Sequence, residues 1–307
     1  LSDHLLHNGH HITVIDDLST GNIDNLKNII NDKKLNFVNS SIENEKLLNE
    51  LIVDCDFIIH LAAAVGVKLI VENPIKSIET NIRGTEVILK AAAKNNIPIF
   101  IASTSEVYGK LADCPFSEED DCLYGPTTKP RWSYAVSKAI DEYLSLAYFE
   151  EKKLKVIIGR FFNTVGPRQI GHYGMVLPRF ISSALKNEPL TVYGDGKQSR
   201  CFGYVGDVVH AINALISNKQ SFGEIFNIGN NEEISIMDLA KKIIGICNSD
   251  SKIIKVPYEK IYGKNFEDMS RRVPDVTKLR KHTNYSFTTS LDDIIIKTKE
   301  YIVKNEL

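Results

Sequence analysis

Apolar strand-like runs alternating with helical stretches predict an α/β protein, a doubly wound parallel sheet with a smaller C-terminal α/β lobe. Three observations carry that expectation. The runs HITVIDD, LNFVNS, DFIIHLAA, IPIFIAS and LKVIIGRFFN recur through the first half of the chain. Between them, stretches such as 77–94 and 133–152 have helical spacing, and apolar strands separated by helices imply a parallel sheet covered on both faces. After Asn163 the chain turns Gly- and Pro-rich before alternating again, so the second half reads as a smaller lobe with a ligand cleft between the two. The expected division is 1–164 and 165–307, with about 204–226 returning to the first unit.

The bulk properties narrow the function. The 307 residues are 43% hydrophobic and 25% charged, an ordinary globular balance with room for a substantial core. A net charge of −2 argues against a nucleic-acid or membrane-surface partner. Five scattered cysteines with no CxxC pair fit reduced thiols in a cytoplasmic protein, with neither a disulfide framework nor a metal site. No apolar run reaches the length of a membrane span.

Taken in order, LSDHLLHNGH places Leu1, Leu5 and Leu6 at helical spacing and stops at Asn8-Gly9. The strand HITVIDD follows. A helix, then a strand ending in acid, is the second half of a mononucleotide-binding unit, so a strand and a Gly-rich loop are expected upstream of Leu1 and the chain reads as N-terminally truncated. Asp16 and Asp17 end that strand, where an acid accepts hydrogen bonds from an adenosine ribose and repels a 2′-phosphate. The plainer reading is a turn before Ser19-Thr20-Gly21. Further strands end at His60-Leu61-Ala62-Ala63, at Ser103–Glu106 and at Arg160–Asn163, and ligands bind at such carboxyl ends. Small residues at Ala62 and Ala63 let a flat ligand approach the backbone. Asn81, on the next helix, reads equally as a buried cap or as a partner of the site.

The stretch from Ile101 to Lys138 carries the chemistry. It presents Ser103, Thr104, Ser105 and Glu106 at a strand end, then KPRWSYAVSK. Tyr134 and Lys138 are four residues apart, on one helical face. An ammonium near a phenol favours the phenolate, so the tyrosine can act as a base near neutral pH. In the second half the pattern predicts a helix over Val176–Lys186, a Gly-Asp-Gly turn, Arg200, a helix capped by Asp207, a helix capped by Ser235, and a final amphipathic helix after Arg271-Arg272.

VIDDLSTGN, HLAA, TSEVYG, SYAVSK, GRFFNTVGPRQ, VYGDGKQSRCFGYVGDV, FNIGN and RRVPDVTKL, in this order, resemble the extended short-chain dehydrogenase/reductase family, which has a Rossmann-like fold. More closely they resemble its NAD-dependent nucleotide-sugar epimerases, dehydratases and decarboxylases. The resemblance covers nearly the whole chain but lacks the family's N-terminal GxxGxxG, without which this chain is expected to bind NAD weakly. It implies Tyr134 as catalytic base, Lys138 as its pKa-lowering partner and ribose anchor, and Thr104 as the assisting hydroxyl. Asp16, Asp17, Ser41, Leu61, Ala62, Ala63, Asn81 and Ser103 fall on the NAD side, although Ser41 stands where many relatives have an acid. Ser105, Arg131, Asn163, Val176, Arg200 and Arg272 fall on the substrate side, Asn163 toward the diphosphate and Arg200 and Arg272 gripping it. Glu106 stands where epimerases carry a small residue, as an acid/base near C5 or C6, which tilts the expectation to UDP-glucuronate decarboxylation. The alternatives are 4-epimerisation of UDP-glucose or UDP-glucuronate, 4,6-dehydration, and a non-catalytic sugar-nucleotide binder. Relatives pair the helices 77–94 and 133–152 across a two-fold axis, so a homodimer is expected.

Overall fold

The computed structural model describes residues 1–169, 171, 175–262 and 267–305. The first half contains α1 (Ser2–His7), β1 (Ile12–Asp16), β2 (Leu35–Asn39), α2 (Glu45–Leu51), β3 (Ile58–His60), α3 (Val67–Glu72), α4 (Pro74–Asn95), β4 (Ile99–Thr104), α5 (Trp132–Lys152) and β5 (Val156–Phe161). The second contains β6 (Thr164–Val165), α6 (Val176–Leu185), β7 (Leu190–Tyr193), β8 (Ser199–Cys201), β9 (Gly203–Tyr204), α7 (Val205–Ile216), β10 (Glu224–Ile228), β11 (Glu233–Ser235), α8 (Ile236–Cys247), β12 (Ile253–Val256), α9 (Tyr258–Tyr262), α10 (Thr277–Thr283) and α11 (Leu291–Asn305). Part of the expected loop before α6, at 170 and 172–174, lies outside the described residues.

The central sheet is parallel, in the order β10-β5-β4-β3, and β1 and β2 form a separate parallel pair. Both faces of the sheet are covered, because successive side chains of a strand point opposite ways. On β4, Ile99 and Ile101 pack with Val87, Ile88 and Leu89 of α4 and with Leu48 of α2. Phe100, between them, packs on the other face with Ile157, Ala211, Ile212, Phe226 and Leu279. The chain thus leaves the sheet after β5 and returns at β10, which pairs with β5 from Glu224↔Ile157 to Ile228↔Phe161.

The second lobe has its own core, in which Leu177, Phe180 and Ile181 of α6, Leu239 and Ile243 of α8, and Ile294 and Ile295 of α11 are fully buried. Two strand pairs, parallel β7-β12 and antiparallel β8-β11, edge that core. Ser235 caps α8 as expected, its Oγ accepting the Asp238 N–H at 3.0 Å. Asp207 does not cap α7. It lies inside the first turn of α7 and is buried, and its carboxylate accepts from Tyr285 Oη at 2.8 Å and Thr289 N at 3.1 Å, so it ties the chain near α10 to the helix. Among the described residues no helix is long and apolar enough to cross a membrane.

Phe100 sits against Gly159 of β5, where a Cβ would come within 2.5 Å of the ring. Phe100→Ala therefore leaves a void that the tightly packed strands close only in part, and urea unfolding should show a loss of about 3–5 kcal/mol.

Candidate active site

A cavity of about 560 Å³ opens at the carboxyl ends of β4 and β5, between the sheet and the second lobe. Ser103, Thr104, Glu106, Arg131, Tyr134, Lys138, Asn163, Val176, Arg200 and Arg272, all singled out from sequence, line it together with Leu61 and Ala63. β4 delivers Ser103 and Thr104, and a 3₁₀ turn over Ser105–Tyr108 follows at once, started by Thr104 Oγ1 accepting the Glu106 N–H at 3.3 Å. Arg131 precedes the first residue of α5, and Tyr134 and Lys138 occupy the next turns.

Glu106 is the electrostatic centre of the cavity. Arg131 grips its carboxylate with both terminal nitrogens, Nη2 reaching Oε1 at 2.9 Å. Arg272 approaches from the second lobe, Nη1 lying 3.4 Å from Oε1 and 3.4 Å from Ser105 Oγ. All three groups are buried. Burial works against the Glu106 charge, but Arg131, Arg272 and Arg200 outweigh it and hold the carboxyl down at about 2. Glu106 is therefore held as a carboxylate in this site, where it can serve as a base or counter-ion. Arg200 pairs with Asp268, Nη2 to Oδ1 at 3.0 Å, so three guanidinium groups face two carboxylates. Nε of Arg272 is buried without a hydrogen-bond partner.

Tyr134 and Lys138 are both buried, but the pair does not behave as its spacing suggests. Lys138 Nζ donates to Asp141 Oδ2 at 2.6 Å, one turn further along α5. Burial, with Glu106 and Asp141 nearby, pushes Tyr134 well above an ordinary phenol against the opposing pull of the Thr104 hydroxyl and Arg131. The expected lowering by Lys138 is therefore not realised in the resting site, because the ammonium is spent on a neighbouring carboxylate.

Other expected residues lie outside this cavity. Asp16 and Asp17 are exposed at the end of β1 and also close a turn, Asp16 Oδ1 accepting from Leu18 N at 2.7 Å and Asp17 Oδ1 from Ser19 N at 2.9 Å. The Ser19 hydroxyl, with the Ser19 N–H, holds the Asp17 carboxyl below its usual range. Ser41 is exposed, and its Oγ accepts the Glu43 N–H at 3.2 Å. Ala62 is exposed at the loop after β3. Asn81 stands one layer back: Oδ1 accepts the Ala64 N–H at 2.7 Å and Nδ2 lies 3.4 Å from both Ala64 O and Ser137 Oγ. It pins the loop after β3 to α5. Two residues of the cavity wall are also held by the fold: Ser103 bonds Glu142, which takes the Arg160 guanidinium at 2.8 Å. Asn163 Nδ2 donates to Cys201 O at 2.9 Å.

Sequence reasoning named Arg160 only as a strand end and passed over Asp141, Glu142 and Asp268. The first two were within reach, since three- and four-residue spacing from Lys138 puts them on or beside its face of α5. Asp268 lies in an irregular segment 68 residues from Arg200 and carries no local signal.

The residues present fit a dinucleotide at the carboxyl edge of the sheet. An exposed acid, Asp16, ends β1. Leu61 and Ala63 form an apolar wall leading to Tyr134 and Lys138. A doubly wound sheet, a Tyr-Lys pair on α5 and an arginine-rich cavity define an NAD-dependent enzyme that modifies nucleotide sugars.

Comparison with known proteins agrees. The GDP-mannose 4,6 dehydratase family profile matches residues 1–298, and the chain belongs to that family. It is 44% identical over 300 residues to UDP-N-acetyl-alpha-D-glucosaminuronate decarboxylase of Bacillus cytotoxicus, spanning 96% of this chain and 92% of the relative. It is 33% identical to UDP-glucuronic acid decarboxylase 1 of Xenopus tropicalis, over 99% of this chain and 69% of that protein. Among solved structures, UDP-glucuronic acid 4-epimerase of Bacillus cereus, in complex with UDP-glucuronic acid and NAD, superposes with a TM-score of 0.88 at 27% identity, covering 98% of this chain and 94% of that one.

Removing one partner of a buried ion pair leaves the other charge stranded. Arg131→Ala should cost about 3–5 kcal/mol in denaturant unfolding. Arg131→Ala/Glu106→Ala, which strands no carboxylate, should recover part of that loss.

Proposed function

We propose that this chain decarboxylates a UDP-hexuronate to a UDP-pentose, through transient oxidation at sugar C4. The observation that carries the reading is the buried cage around Glu106, in which guanidinium groups outnumber carboxylates and one buried arginine N–H is unsatisfied. Such a cage accepts further negative charge: a diphosphate at Arg200, and a sugar C6 carboxylate beside Arg131 and Arg272. The Bacillus cytotoxicus relative, at 44% identity, favours a 2-acetamido sugar; the Xenopus tropicalis relative, at 33%, favours UDP-glucuronate.

Residues 1–164 serve as the NAD-binding unit, with Asp16 toward the adenosine ribose, Asp17 and Ser41 beside it, and Leu61, Ala62 and Ala63 as the wall. Residues 165–307 supply mainly the sugar-nucleotide side, with Asn163 and the amino end of α6 at Val176 flanking the cavity. NAD, when bound, supplies the acceptor for the hydride that leaves sugar C4. Tyr134 takes the C4 hydroxyl proton, with the Thr104 hydroxyl sharing it. A ketone at C4 makes the C6 carboxylate β to a carbonyl. Arg272 and Arg131 hold that carboxylate while the C5–C6 bond breaks, carbon dioxide leaves, and the electron pair passes toward the C4 oxygen. C5 then takes a proton from water, and the C4 ketone regains the hydride at carbon and the proton kept by Tyr134 at oxygen, which gives the UDP-pentose. The Glu106 charge keeps both guanidinium groups in the cavity when no sugar is present.

Incubation with NAD and either UDP-glucuronate or its 2-acetamido counterpart, read by proton NMR, should show loss of the hexuronate and growth of a UDP-pentose. Glu106→Gln should lower kcat by about 10²-fold or more. A product with C4 inverted and C6 retained would replace this reading with a 4-epimerase.

We also propose a homodimer formed by two copies of the α4–α5 face. Ile75 is 73% exposed, Tyr143 75% and Ile140 41%, all on these two helices, whose opposite sides pack on the sheet. Light scattering should give twice the chain mass, and Tyr143→Arg should shift it toward a single chain.

A further inference from the structure

Asp141 is a carboxylate that the mechanism above does not use, although it is buried one turn along α5 from Lys138, which lines the cavity. Its side chain is fully buried, the Lys138 side chain is 3% exposed, and Oδ2 lies 2.6 Å from Nζ. The Thr85 hydroxyl is the other polar group that reaches its carboxyl. A buried pair so isolated from water is a strong constraint on where the ammonium rests. From β3, His60 is fully buried and held neutral, its pKa driven down to about 3 by burial and then by the Lys138 charge. From α4, Thr85 stands between the two, its hydroxyl 3.3 Å from His60 Nε2 and beside the Asp141 carboxyl. On α5 itself, Glu142 is committed to Arg160 and Ser103. Facing Tyr134 are Thr104 from β4, Glu106 from the turn after it, and Arg131 just before α5.

We propose that Asp141 is a positioning residue for the Tyr134–Lys138 pair: by holding the Lys138 ammonium in a buried ion pair, it decides how much of that charge reaches the Tyr134 hydroxyl. In the resting site the carboxylate cancels the ammonium, and Tyr134 keeps its proton. The base is exposed only when Lys138 Nζ turns from Asp141 toward the space beside Tyr134. The sign follows from charge alone: the carboxylate opposes a phenolate and the ammonium favours one, so neutralising Asp141 favours phenolate on both counts.

The proposal takes Tyr134 as the base of the reaction inferred above, but its first test needs no substrate. Carbon-13 NMR of the tyrosine ring Cζ, with Tyr134 assigned by its loss in Tyr134→Phe, reads ionisation in the ligand-free protein. In Asp141→Asn, Tyr134 should ionise at a pH about one unit or more below wild type, the scale of one adjacent charge. Asp141→Glu should stay near wild type. Lys138→Met/Asp141→Leu removes both charges, strands neither, and should also leave Tyr134 near its wild-type position. An unmoved Tyr134 in folded Asp141→Asn, or a double variant shifted as far as Asp141→Asn alone, would overturn the proposal. With a sugar substrate in hand, the acid limb of kcat against pH should move down in Asp141→Asn with KM unchanged. If no sugar turns over, the reaction assignment fails while the NMR result still decides the role of Asp141.

Discussion

The site depends on the buried ion pair between Glu106 and Arg131. Glu106 comes from the turn that ends β4, and Arg131 from the residue before α5. Neither could be buried alone, since an unpaired charge in a low-dielectric interior is far too costly. Together they fix the start of α5 against the end of β4, and that sets where Tyr134 and Lys138 fall. Arg272 then joins the pair from the second lobe, so the same carboxylate also ties the two halves of the cavity.

A second buried ionic layer lies behind the first. Asp141 and Glu142, adjacent on α5, take Lys138 and Arg160 respectively. Arg160 reaches the Glu118 carbonyl at 3.1 Å and lies over the Tyr108 ring, and Tyr108 in turn bonds Asn227 of β10 at 2.7 Å. α5 is thus held to β5 through Arg160 and to β4 through Ser103 by charges and hydrogen bonds as well as by apolar packing. Precise placement of a general base against a sugar hydroxyl needs such support, because a small displacement costs much of the rate.

The alternation of apolar runs and helices was enough to read the doubly covered parallel sheet, because a strand buried on both faces has no other plausible composition. The Tyr134–Lys138 pair, the hydroxyls of β4 and the arginines were likewise legible from local spacing and order. What local pattern could not give was charge pairing across the fold. Lys138 looked like the partner of Tyr134 at four residues, yet three-residue spacing to Asp141 gave it a closer one. Glu106 looked like a free acid because its neutralising arginines lie 25 and 166 residues away. Asp207 looked like a helix cap because the tail that claims its carboxylate, near Tyr285 and Thr289, is remote in sequence.

The central claim is that the arginine cage around Glu106 holds a sugar carboxylate while its carbon is lost. It is tested most directly with UDP-hexuronates labelled with carbon-13 at C6, in glucuronate and 2-acetamido form, incubated with the protein and NAD in a sealed NMR tube. The account predicts that the label leaves one of these sugars and appears as carbon dioxide and bicarbonate, with loss of that signal when Arg272 is changed to alanine. Label that stays on the sugar through turnover would contradict it.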